Sequence, residues 1–181
     1  MKAEEFKRVW DIEHYGPLIT FNRGDLENIN IQESDREWLV NVGLPETPAP
    51  YLEFVSSKGR LVSLSTKLNM SNCYVDYTYL GSTASGEPVC IKNGTEVVLI
   101  SEMNSCKEVF VNSSVTQLAS CLLFFSEMIS EAIKINGEDA FIDNAIPSHL
   151  MSITMKKMKE IDGAAFADSS FWKTEFETLV E

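Results

Sequence analysis

Three observations predict an α+β fold. Asn93-Gly94 lies between two apolar runs, the pair that most favours a two-residue hairpin with positive φ at both positions. Ser34-x-x-Glu37 and Ser114-x-x-Gln117 each stand before an apolar run, as helix-opening capping boxes do. From Tyr74 to Val111 aromatic and β-branched residues dominate, which suits a pleated surface. The hairpin is therefore expected inside an antiparallel sheet, with helices before and after it, in one domain over residues 1–181.

The elements follow in order. Phe6 and Trp10 stand four apart, on one face of a short opening helix over 3–10. Pro17–Phe21 reads as a strand and Asn22–Asp25 as a turn. The first capping box opens a helix over about 35–42 that buries Trp38, Leu39 and Val42; Gly43 and Pro45 stop it. Glu46–Pro50 is a rigid surface connection, too short to separate two cores. Strands are expected at 51–55 and 60–64, and then a meander near 88–92, 95–101 and 107–111. Gly81–Gly86, small and loose, reads as a surface loop. After Ser114 the residues Leu118, Cys121, Leu122, Phe125, Met128, Ile129 and Ala132 recur at helical spacing up to Asn136-Gly137. Core packing accounts for this stripe better than a cofactor contact does. Two more helices are expected near 148–161 and 169–180, the last burying Trp172, Phe176 and Leu179.

Composition narrows the functional classes. A chain of 181 residues with 44% apolar and 23% charged residues can bury a sizeable core. The net charge of −12 disfavours direct nucleic-acid binding, which needs a basic surface. The charge suits a basic protein partner, though ordinary solubility accounts for it as well. It is spread along the chain, at about −4, −2 and −6 over residues 1–60, 61–115 and 116–181. Any acidic face must therefore be assembled by folding. Met1–Phe6 carries no apolar signal core, and no apolar run is long enough to span a membrane, which points to the cytoplasm. In that setting the sequons at Asn69, Asn93 and Asn112 have no meaning as glycosylation sites.

Catalytic and metal chemistry finds no support. Cys73, Cys90, Cys106 and Cys121 contain no Cys-x-x-Cys pair, so neither zinc nor a disulfide is expected. The two histidines, His14 in a turn and His149 near a helix start, read as exposed or structural. Gly81–Gly86 lacks the Lys-Ser/Thr ending of a phosphate loop and the spacing of a dinucleotide fingerprint. No cofactor is expected, and the protein is expected not to be an enzyme.

One ordered series remains: Trp38-Leu39-Val40-Asn41-Val42-Gly43-Leu44-Pro45, then Tyr77–Gly81, Val89–Val97 and Val109–Ser114, and finally Asp168-Ser169-Ser170-Phe171-Trp172 before Glu175. Taken in order, it resembles the SUKH (Smi/Knr-like) superfamily of bacterial immunity proteins, closest to the fourth immunity-protein branch. The resemblance runs from about residue 15 to 177. It implies a central, largely antiparallel sheet with helices packed around it. Trp38, Gly43, Leu44, Pro45, Gly81, Asn112 and Trp172 are its structural positions, with Asn112 tying the strand end to the helix start. It also implies inhibition of a cognate protein toxin, often a basic nuclease, by direct binding as a monomer or weak dimer. The superfamily includes cell-wall regulators too, so a scaffold or regulator without a toxin is the alternative reading. A small hydrolase using His149 or His14 stands behind both. For a basic toxin the expected contacts are Asp76, Glu87, Glu96 and Glu102, each of which also fits a solvated sheet edge or face.

Overall fold

The computed structural model describes residues 1–69, 74–101 and 107–180. Its centre is the meander that the hairpin chemistry predicts. Asn93 and Gly94 have φ of 51° and 81° and join β6 (Pro88–Lys92) to β7 (Glu96–Ser101). The loop is one residue longer than two, because Lys92 pairs with Glu96 and the Thr95 N–H closes the turn on the Lys92 carbonyl. Strand β5 (Tyr77–Thr83) flanks β6, and β8 (Lys107–Asn112) flanks β7. The two-residue strands β3 (Leu52–Glu53) and β4 (Val62–Ser63) both pair with β5, and every pairing in the sheet is antiparallel. A separate ribbon joins β1 (Leu18–Ile19) to β2 (Leu44–Pro45).

Several expectations shrink or move. The strands expected at 17–21, 51–55 and 60–64 keep only two paired residues each. Asn22 caps a single helical turn, α3 (Arg23–Leu26), where a plain turn was expected. Gly81–Thr83 is not surface loop but the buried end of β5, paired with β3, and the turn begins at Ala84. A Cβ on Gly81 would lie 2.4 Å from the Glu53 carbonyl oxygen and 2.8 Å from the Phe54 ring, so only glycine lets these backbones meet.

The remaining helices are α1 (Ala3–Val9), α2 (Ile12–Tyr15), α4 (Glu33–Asn41), α5 (Leu64–Leu68), α6 (Val115–Asn136), α7 (Ser148–Ile161) and α8 (Phe171–Thr178). Alternation along the strands divides the sheet between two cores. Leu80, Val89, Ile91, Val97, Leu99 and Val111 join α6 and the aromatic residues Phe6, Trp38, Phe125 and Trp172 in the larger one. Tyr79, Cys90, Val98 and Ile100 pack under Leu64 and Tyr74 in the smaller. In α6 the predicted stripe is buried, Ile129 partly so, and Ala119 and Leu123 beside it are buried too, because α4 and α7 cover its flanks. Each buried Leu, Phe or Met contributes about 1.5–3 kcal/mol, so packing outweighs any single cap in fixing this helix.

The two helix starts diverge. Ser114 caps α6 as expected, accepting the Gln117 N–H at 3.2 Å, and the Gln117 side chain turns back to accept the Ser114 hydroxyl at 2.8 Å in place of its backbone N–H, while its Nε2 donates to the Ile161 carbonyl. The Ser34–Glu37 box does not form. Helix α4 begins earlier, at Glu33, with Gln32 in the N-cap position, and Glu37 instead binds Arg23 at 2.5 Å and Asn41 at 2.9 Å. The residue between them, Asp35, turns inward and is 0% exposed. Its carboxylate accepts the Val115 N–H at 3.0 Å, the Thr116 N–H at 3.1 Å and the Thr116 hydroxyl at 3.0 Å, capping α6 from another helix. Gln32 Nε2 supplies a further donor at 2.7 Å. A negative group here also meets the positive end of the α6 dipole. Asp35→Ala should therefore lower the unfolding free energy by about 2–4 kcal/mol, by orphaning buried donors. Ser34→Ala should change it by less than about 0.5 kcal/mol. Urea denaturation of the two variants checks this contrast.

Candidate partner-binding site

Residues of the family series build a second buried polar node. Asn112 ends β8 fully buried, and its Oδ1 accepts the Trp172 indole N–H at 2.9 Å. Its Nδ2 donates to Asp162 at 3.0 Å, and Asp162 also accepts the Ser113 N–H at 2.7 Å and the Ser113 hydroxyl at 2.9 Å. Asn112 thus ties the strand end to the end of α7 and to α8, not to the start of α6 as the sequence suggests. Cys121 lies against it at 3.5 Å, and burial pushes this thiol up to about 12, so it is inert at neutral pH.

Trp38 and Gly43 serve the other side of the core. The Trp38 indole donates to the Gly43 carbonyl at 3.1 Å. Gly43 has φ +85°, and a Cβ there would lie 2.0 Å from the Ile19 carbonyl oxygen, so glycine lets Leu44-Pro45 return as β2 against β1. These groups are buried and satisfied. They hold the fold and offer nothing to a substrate.

The exposed carboxylates fall at two ends of the sheet. Asp76 accepts the Asn93 N–H through its backbone carbonyl at 3.0 Å, and Glu96 opens β7 opposite Lys92, so both stand beside the hairpin turn. Both are exposed, and neither side chain has an ion pair or hydrogen bond with another described residue. Glu87 precedes β6 at the opposite end, half-buried, and accepts the Ser85 hydroxyl at 3.3 Å. Glu102 lies outside the described residues. Folding therefore brings two of the four expected contacts together and separates a third by the length of a strand, about 17 Å.

Other ionisable groups are accounted for. Burial acts to raise Glu108, but hydrogen bonds from Lys92 and Tyr77 outweigh it and hold this acid below its ordinary value. His14 makes an exposed contact with Asp11 at 2.8 Å, and His149 is exposed at the start of α7. Cys90 and Cys121 are free and buried, while Cys73 and Cys106 fall outside the described residues. Among the described residues no group of three His, Cys, Asp or Glu could hold a metal ion. No helix there is long and apolar enough to cross a membrane.

The arrangement is that of an acidic α+β scaffold whose buried polar groups maintain shape. The family model of SUKH-4 immunity proteins matches residues 11–178, and the chain belongs to that family. No curated protein and no solved structure matches it.

Glu175 makes the stability of the fold depend on pH. Its carboxyl sits half-buried on α8 without a partner among the described residues, and burial raises this acid from 4.5 to about 7. A carboxyl raised in the folded state costs nothing where both states are protonated. It destabilises increasingly from pH 4.5 to about 7, and fully above that. Glu175→Gln should match the native chain near pH 4 and melt higher above pH 7; thermal unfolding across that range measures the difference.

Proposed function

We propose that the protein neutralises a cognate polymorphic toxin by binding it directly, without chemistry of its own. The observation that carries this reading is the family match over residues 11–178. The physical logic agrees with it. A nuclease must hold phosphates in a basic cleft, and an inhibitor of net charge −12 is drawn to such a cleft. Steering of this kind raises association rates by roughly 10–10³-fold at low salt. Asp76 and Glu96 support it, because two exposed carboxylates without side-chain partners among the described residues project their charge into solvent from one end of the sheet. Occlusion then needs no cofactor, no metal and no catalytic residue. In this reading the whole chain works as one domain in the cytoplasm, meeting the toxin as a monomer or weak dimer.

Co-expression tests the proposal. The chain should restore growth to cells making the toxin encoded beside it, and the recovered toxin should keep its covalent mass. A cleaved or modified toxin would make the protein an enzyme and end the binding-only reading. Reversing both carboxylates, Asp76→Lys with Glu96→Lys, should slow association roughly threefold or more at low salt and flatten its salt dependence.

A further inference from the structure

Away from the hairpin turn, the opposite end of the sheet carries an exposed aromatic patch. Tyr51 is 61% exposed, with its backbone at φ +55°, a conformation that bulky side chains rarely adopt. The Ala84 N–H holds it there by donating to the Tyr51 carbonyl at 2.8 Å. Its ring meets Phe141 at 5.7 Å, and Phe141 in turn meets the core residue Phe125 at 6.0 Å. Next in sequence, Ile142 is 73% exposed. A groove of about 320 Å³ runs beneath, lined in part by Pro48, Ala49, Tyr51, Ala84 and Phe141.

The loop bearing Phe141 and Ile142 is firmly anchored. Ala140 and Ile146 are buried on either side of it, and the Ala145 N–H donates to the Ala140 carbonyl at 2.8 Å. Asn136 Nδ2 donates to the Ala145 carbonyl at 2.5 Å, and Asn144 Nδ2 to the Thr178 carbonyl at 3.3 Å. Ile142 is thus presented to solvent by a loop that has little ordering entropy left to lose on binding. The same loop carries Glu138, Asp139 and Asp143, all exposed and without ion pairs to other described residues. Glu87 lies just beyond the Ala84-Ser85 turn. The lysine nearest the Phe141 loop in sequence, Lys134, is already bound to Glu131 at 2.6 Å.

We infer that this patch is the docking surface for the toxin, with Tyr51 and Ile142 as anchors and the carboxylates as a rim. The inference rests on the immunity reading above and names the surface that reading leaves open. Charge selects the occupant. An aromatic anchor beside carboxylates that form no ion pair among the described residues fits a basic protein surface, whose Arg and Lys stems pack on the rings while their heads reach the rim. A second copy of this chain would bring the same carboxylates against themselves in a symmetric contact. Nucleic acid would bring phosphates against them. The hairpin-end acids then govern how fast the partners meet, and this patch governs how long they stay.

Binding kinetics with the purified toxin domain encoded beside the gene separate these roles. Tyr51→Ala and Ile142→Arg should each speed dissociation about tenfold or more with little change in association, while melting as the native chain does. Asp76→Lys with Glu96→Lys should do the reverse. If the native chain binds and neither anchor variant alters dissociation, the patch is not the docking surface, although the immunity reading stands. If the native chain does not bind at all, the immunity reading itself fails and the inference with it. A native dimer that Ile142→Arg dissolves would assign the patch to a second copy and overturn the inference.

Discussion

The junction between β8 and α6 depends on two buried carboxylates that come from elsewhere in the chain. Four N–H groups in this short stretch need acceptors. Asp162 takes that of Ser113, Asp35 takes those of Val115 and Thr116, and Ser114 takes that of Gln117. Because α6 packs against the sheet, α4 and α7, Val115 is buried and its neighbours Ser113, Ser114, Thr116 and Gln117 are half-buried, so water can serve this turn only in part. Each carboxylate is therefore both a cap and a tether. Asp35 fastens α4 to the central helix, and Asp162 fastens the end of α7 to the sheet. Burying an acid is costly, but N–H donors, a hydroxyl or an amide on the oxygens and the helix dipole offset that cost here.

From this junction the remaining order follows. Asn112 passes the constraint on to Trp172, which places α8 beside Phe125. Phe125 touches Phe141, and Phe141 supports Tyr51 at the surface. A rigid interior therefore backs an exposed aromatic group. The polar interior and the charged exterior have separate duties. Inside, both oxygens of Asp35 and both of Asp162 accept hydrogen bonds. Outside, Asp76 and Glu96 at the hairpin end lack side-chain partners among the described residues, and Glu87 at the other end forms no ion pair with them, which suits recognition more than stability.

Much of the fold was legible because its signals are local. Asn93-Gly94 requires positive φ, Ser114 needs only the amide three residues on, and Gly137 stops α6 at φ +94°. Failures came where a local rule competed with a distant partner. Ser34 and Glu37 form a good box on paper, yet Arg23 claims Glu37 and the helix starts before Ser34. Nothing local in the sequence marks Asp35 or Asp162. One is an acid among acids, the other a single acid after a helix, and their donors lie about 80 and 50 residues away. The two-residue strands around β5 were overestimated for the same reason, since β5 has room for only two pairs at each end.

By itself the sequence determined the α+β class, the meander, the long central helix and membership of an immunity-protein family. Each of these depends on residue type and spacing over short range, or on the order of short motifs along the chain. Only the tertiary structure decided which acids are buried tethers and which face solvent. It also decided that Asp76 and Glu96 share one end of the sheet while Glu87 sits at the other, after the turn whose Ala84 N–H holds Tyr51. An acid's role is set by the donors that surround it, and those donors come together only when distant segments pack.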